Sequence, residues 1–130
     1  MSAEEVESIK QVNPFLPESY IEFLSKIGFA DMNWIDIGWN RKTPTNLDDE
    51  ELNSLKEIYE NCSNLNLEDF YFIAIDANGR YYAFSKNADA GKVYTILDST
   101  PPFGSFEEFL AEILNAWYTQ VLRTHITCIK

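Results

Sequence analysis

Apolar residues recur every three or four positions in four stretches of the chain, which is the spacing of a helix that buries one face. The first stretch predicts a helix over residues 3–11, with Ser2 as its N-cap and Glu5 three positions later in capping-box spacing. The second predicts a helix from Pro17 to Gly28, because proline suits the first helical position and glycine suits a left-handed helix end. Both helices therefore carry signals that mark where they begin or end.

The third and fourth stretches predict longer helices. One covers residues 47–61, with Thr45 or Asn46 as its N-cap. The other begins after Ser105, which opens a second capping box, and its apolar stripe continues to Val121. A helix of that length can lie across a whole sheet.

Three short runs rich in aromatic and β-branched residues, over 70–75, 80–85 and 92–97, instead predict strands. Asn78-Gly79 between the first two runs is a strong hairpin-turn signal, and residues 86–91 form a second, longer turn. Such short connections are typical of an antiparallel meander.

One further short strand is predicted over residues 33–39, at the edge of this sheet. The order of helices, then grouped strands, then a helix predicts a single α+β domain over residues 1–130. We expect an antiparallel sheet, made of the three-strand meander and the short edge strand, packed against the N-terminal helices and a long C-terminal helix.

The chain is strongly acidic, with 21 acidic and 10 basic residues and a formal net charge of −11. Residues 1–60 hold 13 of the acids and 5 of the bases. Like-charge repulsion argues against nucleic acid and anionic membranes as direct partners. A basic protein partner fits better, because opposite fields accelerate encounter. Charge that only maintains solubility is the open alternative.

Acidic and aromatic residues in the first half of the chain form the candidate partner-binding set. Acids outnumber the single base, Lys56, within residues 43–70, and two tryptophans lie near the predicted edge strand between aspartates. Aromatic side chains ringed by acids suit an interface, whereas a solvated helix and core tryptophans are the structural alternative. We expect one of the two tryptophans to be exposed. The candidate residues are Asp31, Trp34, Asp36, Trp39, Asp48, Asp49, Glu50, Glu51, Glu57 and Glu60.

The sequence predicts no catalytic, cofactor-binding or metal-binding residues. His125 is the only histidine and has no cysteine or second histidine at ligand spacing. Cys62 and Cys128 are far apart, which favours a reducing, cytoplasmic setting over a disulfide framework. The turn from Asp76 to Gly79 resembles part of a calcium loop, but a hairpin turn is the better interpretation. A small hydrolase that uses the acidic cluster is the enzymatic alternative.

Four segments of the chain, taken in order and spacing, form a recognisable set. They are Leu16-Pro17-Glu18-Ser19-Tyr20-Ile21-Glu22-Phe23-Leu24, Phe72-Ile73-Ala74-Ile75-Asp76-Ala77-Asn78-Gly79-Arg80-Tyr81-Tyr82-Ala83-Phe84, Gly91-Lys92-Val93-Tyr94 and Phe103-Gly104-Ser105-Phe106-Glu107-Glu108-Phe109-Leu110. Together they resemble the SUKH superfamily, which includes yeast cell-wall-synthesis regulators and bacterial immunity proteins. The resemblance extends over roughly residues 12–118, with one departure: residues 27–31 hold a single glycine where members often have an Asn-Gly-Gly-like turn. It implies an immunity protein that binds and neutralises a cognate toxin, often a nuclease, and brings no catalytic residues. A regulatory scaffold is the alternative that it implies.

Overall fold

The computed structural model describes residues 2–32, 34–59, 66–87, 91–96 and 104–115. A helix over residues 106–115, labelled α4, is the last element in the described part. In chain order the preceding elements are α1 (Ala3–Val12), α2 (Glu18–Lys26), β1 (Ala30–Asp31), β2 (Ile35–Ile37), α3 (Asp49–Tyr59), a 3-10 turn (Leu67–Asp69), β3 (Phe70–Asp76), β4 (Tyr81–Ser85), β5 (Lys92–Thr95) and β6 (Gly104–Ser105).

The strands of the described residues form one six-stranded antiparallel sheet whose strand order follows the chain, from β1 to β6. The predicted α+β class is therefore confirmed. The sequence predicted fewer strands, because β1 and β6 are only two residues long and too short to show a period. The strand expected at the sheet edge over residues 33–39 is β2, Ile35–Ile37. It lies between β1 and β3, so the predicted edge position was wrong, because β1 pairs with its outer side.

One face of the sheet is covered by α1, α2 and α4. Tyr71 of β3, Phe84 of β4 and Val93 of β5 lie on this face and pack in one cluster with residues of the three helices. Tyr20 of α2 is fully buried there, with its ring centroid 5.3 Å from that of Phe84 and 5.0 Å from that of Phe106. Aromatic rings thus join the helices to the sheet.

The opposite face packs against α3 and the segment that precedes it. Phe72 and Ala83 lie on this face in a second cluster with Trp39, Leu47 and Leu55. Because the central strands are buried on both faces, their sequences are nearly continuous apolar runs and lack a polar alternation.

The signals predicted at the start of α1, the end of α2 and the start of α4 are confirmed. Pro17 is the N-cap of α2 and not, as predicted, its first helical residue, because the helix begins at Glu18. Ser2 Oγ accepts a hydrogen bond from Glu5 N at 3.2 Å, as the first capping box requires. Gly28, just after α2, has a φ of 84°. Ser105 Oγ accepts a hydrogen bond from Glu108 N at 3.1 Å, so the last helix begins where the second capping box placed it.

The N-cap of α3 is Asp48, and the prediction of Thr45 or Asn46 was wrong. Asp48 Oδ1 accepts a hydrogen bond from Glu51 N at 2.7 Å, and Glu51 Oε1 accepts one from Asp48 N at 3.4 Å. This reciprocal pair is a capping box. Asn46 cannot serve as the cap because its side chain is engaged elsewhere in the fold.

Asn46 fastens the segment before α3 to β3. Its Nδ2 donates to Trp39 O at 3.0 Å and to Phe72 O at 2.7 Å, and its Oδ1 accepts from Arg41 N at 2.9 Å. Phe72 N also donates to Thr45 O at 2.9 Å. Since β2 pairs only with the C-terminal end of β3, this segment supplies partners for the remaining edge of that strand.

Several predictions from the sequence fall outside the described residues. They are the part of the predicted C-terminal helix beyond residue 115, the candidate Glu60, both cysteines (Cys62 and Cys128) and His125.

Candidate partner-binding surface

The first turn of α3 presents a cluster of exposed carboxylates. Asp48, Asp49 and Glu50 are all exposed, and two of them lie inside the helix where its dipole favours negative charge. The hydrogen bond from the backbone of Glu51 to Asp48 lowers the pKa of the Asp48 carboxyl, so this group stays ionised at neutral pH. Local helix physics thus places three negative charges at one exposed site.

Glu51 and Trp39, two further candidates, have structural partners through Arg41. The Arg41 guanidinium lies 5.0 Å from the centroid of the Trp39 ring, and its Nε lies 3.3 Å from Glu51 Oε1. Trp39 is only 4% exposed and contacts Tyr81, with ring centroids 6.1 Å apart. A cation and a neighbouring aromatic ring therefore cover Trp39, which leaves it little surface to offer a partner.

Glu57, further along α3, is exposed. The base beside it in sequence, Lys56, pairs with Glu68 at 3.2 Å and so does not neutralise the helix surface. The acidic character of α3 therefore continues beyond its first turn.

Asp31 and Asp36 face each other across the β1–β2 hairpin. Partial burial raises the pKa of the Asp36 carboxyl, and the charge of Asp31 and a hydrogen bond between the two side chains raise it further. Like charges directly opposite on adjacent strands are destabilising. The two carboxyl groups therefore interact directly, and this interaction favours the neutral form of Asp36.

Trp34 lies on the other side of the sheet from most of the candidate residues. It is partly buried against the cluster formed with α1, α2 and α4, and its main-chain oxygen accepts a hydrogen bond from Ala77 N at 2.7 Å. Its indole Nε1 is buried and has no hydrogen-bond partner among the described residues. Of the two tryptophans, Trp39 is buried and Trp34 is partly buried, so the expectation that one of them is exposed is met only in part, by Trp34.

The strand register places the two hairpin aspartates on the same side of the sheet as α3. Asp31 pairs with Asp36, Asp36 pairs with Ile75, and Ile75 pairs with Tyr81. Directly paired residues share a face, and both Ile75 and Tyr81 pack against the cluster beneath α3. We call this side of the molecule, with its carboxylates Asp31, Asp36, Asp48, Asp49, Glu50 and Glu57, the acidic face.

Ile75 and Tyr81 are contact candidates that the sequence interpretation missed. Each is partly exposed and lies in register with Asp36 on the acidic face. Both residues lie in apolar runs that predicted strands without indicating which side chains are exposed. The one available signal was their parity, because positions 75 and 81 alternate with the buried residues 74 and 82.

The described residues also bear on metal binding, on the turn that resembles a calcium loop and on membrane insertion. No group of three or more histidine, cysteine, aspartate or glutamate side chains is arranged there to hold a metal ion. The turn from Asp76 to Gly79 is a hairpin connection, as predicted: Asp76 Oδ1 accepts hydrogen bonds from Asn78 N at 2.9 Å and Arg80 N at 3.0 Å. None of the helices over these residues has the length and apolarity needed to cross a membrane.

Comparison with known proteins adds no relative from which a role could be transferred. The chain has no significant match to a protein-family model, to a curated protein or to a solved structure.

Proposed function

We propose that this chain is an immunity protein of the SUKH type, which acts in the cytoplasm by binding and neutralising a basic protein toxin. The observation that carries the proposal is the acidic face, where carboxylates from the β1–β2 hairpin and from α3 project from one side of the sheet. The four segments that resemble the SUKH superfamily are the reason for proposing a toxin as the class of partner.

Electrostatics supports a basic partner on this side of the molecule. Asp49, Glu50 and Glu57 are exposed and form no ion pair with any described residue. A field of one sign over a surface accelerates the encounter with an oppositely charged protein and loses that effect at high salt. We therefore expect fast, salt-sensitive association.

Partly exposed apolar side chains give the same face a contact region. Ile75 and Tyr81 lie beside Asp36, between the hairpin and α3. Interfaces combine an apolar, often aromatic centre with a polar rim, and the centre contributes most of the affinity. In this proposal Ile75 and Tyr81 are central contacts and the carboxylates are the rim.

The pair formed by Asp31 and Asp36 is proposed as the subsite for a lysine or arginine of the toxin. A cation between the two carboxylates would replace their mutual repulsion with attraction. It would also favour the ionised form of Asp36, whose pKa is raised in the free protein by burial and by Asp31.

The direct test is co-expression with the products of adjacent genes that inhibit growth. The expected result is restored growth together with a complex of fixed stoichiometry on gel filtration. If every such product still inhibits growth and none forms a complex, the proposal is wrong.

Matched charge variants test the location of the binding surface. Glu50→Gln with Glu57→Gln removes two charges from the acidic face, and Glu4→Gln with Glu7→Gln removes two exposed charges from α1, on the other side of the sheet. At low ionic strength the first pair should slow association about tenfold and the second pair far less. Equal effects would show that only net charge matters and would reject the acidic face.

The hairpin subsite predicts a pH dependence of binding. Because the folded-state pKa of Asp36 is raised, protonation of this group begins at a higher pH than for an ordinary aspartate. Affinity should fall on acidification, and the fall should begin at a higher pH than an ordinary aspartate would give, since a protonated Asp36 no longer attracts a cation. Asp36→Asn should bind more weakly at neutral pH and lose much of this pH dependence in calorimetric titrations, whereas an unchanged profile would reject the subsite.

A further inference from the structure

A cleft of about 670 Å³ opens between α1 and the segment over residues 40–46. It lies where that segment replaces β2 along the edge of β3. Asn46 forms part of the cleft wall and is 1% exposed, with its amide held by the three hydrogen bonds described above. The wall is therefore fixed by the fold before any ligand arrives.

The cleft contains two lysines that lack ion-pair partners in an otherwise acidic protein. Lys42 and Lys86 both line it, and neither forms an ion pair with a described residue. Burial lowers the pKa of Lys86, and the nearby carboxylates of Asp69 and Glu68 oppose this effect only in part. An anion in the cleft would further stabilise the charged form of Lys86.

A tyrosine hydroxyl also belongs to the cleft wall. Tyr71 lines the cleft, and the residue as a whole is 3% exposed. Burial raises the pKa of Tyr71 to about 12, so the hydroxyl stays a neutral donor at physiological pH. A neutral phenolic hydroxyl can donate a hydrogen bond to a charged acceptor in the cleft.

The rest of the wall combines apolar side chains with the polar residues Ser8, Asn13, Asn40 and Thr43. Val12 is 74% exposed and lines the cleft together with Ile9, Phe15 and Pro44. One carboxylate, Glu5, also lines it, but that group accepts a hydrogen bond from Ser2 Oγ at 3.2 Å in the capping box. The cleft thus combines an apolar side with two cations and a hydroxyl donor.

We infer that this cleft binds a small amphipathic anion, with its carboxylate or phosphate head at Lys86, Lys42 and Tyr71 and its apolar body along α1. Its volume lies in the range of small-molecule sites, roughly 300–1,000 Å³. The site is separate from the acidic face and does not depend on the proposed toxin, because its charges have the opposite sign and come from different residues.

Calorimetry and amide chemical shifts with three probes of equal chain length test this inference. Decanoate and decyl phosphate carry the two head groups, and decanol is the uncharged match. We expect saturable binding of at least one anion, with shifts confined to α1, residues 40–46 and Lys86, and much weaker binding of decanol. Tighter binding of one anion identifies the head group. No saturable binding of either anion, or equal binding of decanol, would overturn the inference.

Variants of the chain give the matched control. Lys86→Met keeps the aliphatic stem and removes the charge, and Tyr71→Phe removes only the hydroxyl; each should weaken anion binding about tenfold or less. Lys92→Met removes an equal charge from an exposed position on β5 that is not part of the cleft wall and should leave binding unchanged. If Lys92→Met weakens binding as much as Lys86→Met, the interaction is non-specific and the assigned site is wrong.

Discussion

Replacement of Asn46 by alanine is expected to destabilise the domain strongly, although this residue belongs to neither core cluster. Its side chain makes three hydrogen bonds, to Trp39 O, to Phe72 O and from Arg41 N, at 3.0, 2.7 and 2.9 Å. The bond to Phe72 O joins the segment before α3 to β3, and the other two close the loop from Trp39 to Asn46. Asn46→Ala removes them together and leaves buried main-chain groups without partners.

The expected loss of unfolding free energy follows from the number of hydrogen bonds removed and from the backbone conformation of Asn46. Each intramolecular hydrogen bond contributes about 1 kcal/mol net, and unpaired buried groups cost more, which gives roughly 3 kcal/mol. Asn46 also has a φ of 62°, a conformation that asparagine tolerates and alanine adopts at a cost of about 1 kcal/mol. Asn46→Ala should therefore lose about 4 kcal/mol of unfolding free energy. Asn46→Gly, which has no such backbone cost, should lose about 1 kcal/mol less.

Urea unfolding followed by circular dichroism measures these differences. With a typical slope of about 1–3 kcal/mol/M, the midpoint for Asn46→Ala should fall by about 1–4 M. Asn53→Ala is the control, because Asn53 is exposed on α3 and should change stability by less than about 0.5 kcal/mol. A loss below about 1.5 kcal/mol for Asn46→Ala, or equal losses for the alanine and glycine variants, would refute this reasoning.

Two further predictions concern buried positions. Tyr20→Phe should raise the unfolding free energy by about 1 kcal/mol, because the Tyr20 hydroxyl is buried without a hydrogen-bond partner among the described residues; a lower melting temperature would contradict this. Gly38→Ala should cost at least about 2 kcal/mol in urea unfolding, because φ is 96° and an added Cβ would lie 2.1 Å from Gly28 O. Gly79→Ala, with φ of 81° and nothing within 4 Å of its Cβ, should cost only about 1 kcal/mol, so equal losses for the two glycines would contradict the steric explanation.

The helix ends and the main strands were predictable because their causes are local. A capping box depends on residues three positions apart, as at Ser2 and Ser105, and a left-handed helix end depends on the glycine itself, as at Gly28. The β3 and β4 runs were recognisable from their composition. The two-residue strands β1 and β6 were not recognisable in this way. Each is defined by its pairing with a neighbouring strand.

The candidate surface was predictable only in part, for the same reason. The acids at the start of α3 are exposed because a helix dipole and solvent both favour them there, and this follows from sequence alone. The positions of the two tryptophans do not follow from the sequence alone. Trp39 is covered by Arg41 and Tyr81, and Trp34 lies on the opposite face of the sheet.

The sequence by itself therefore determined the net negative charge, the α+β class and most helix termini, all of which depend on composition or on residues within one turn of each other. Tertiary structure decided which side of the sheet each candidate residue occupies. A shift of one residue in strand register moves a side chain to the other face, and register is set by pairing between strands far apart in the chain. That pairing brings Asp31 and Asp36 together and places them on the side of α3, and it also leaves the edge of β3 that Asn46 completes.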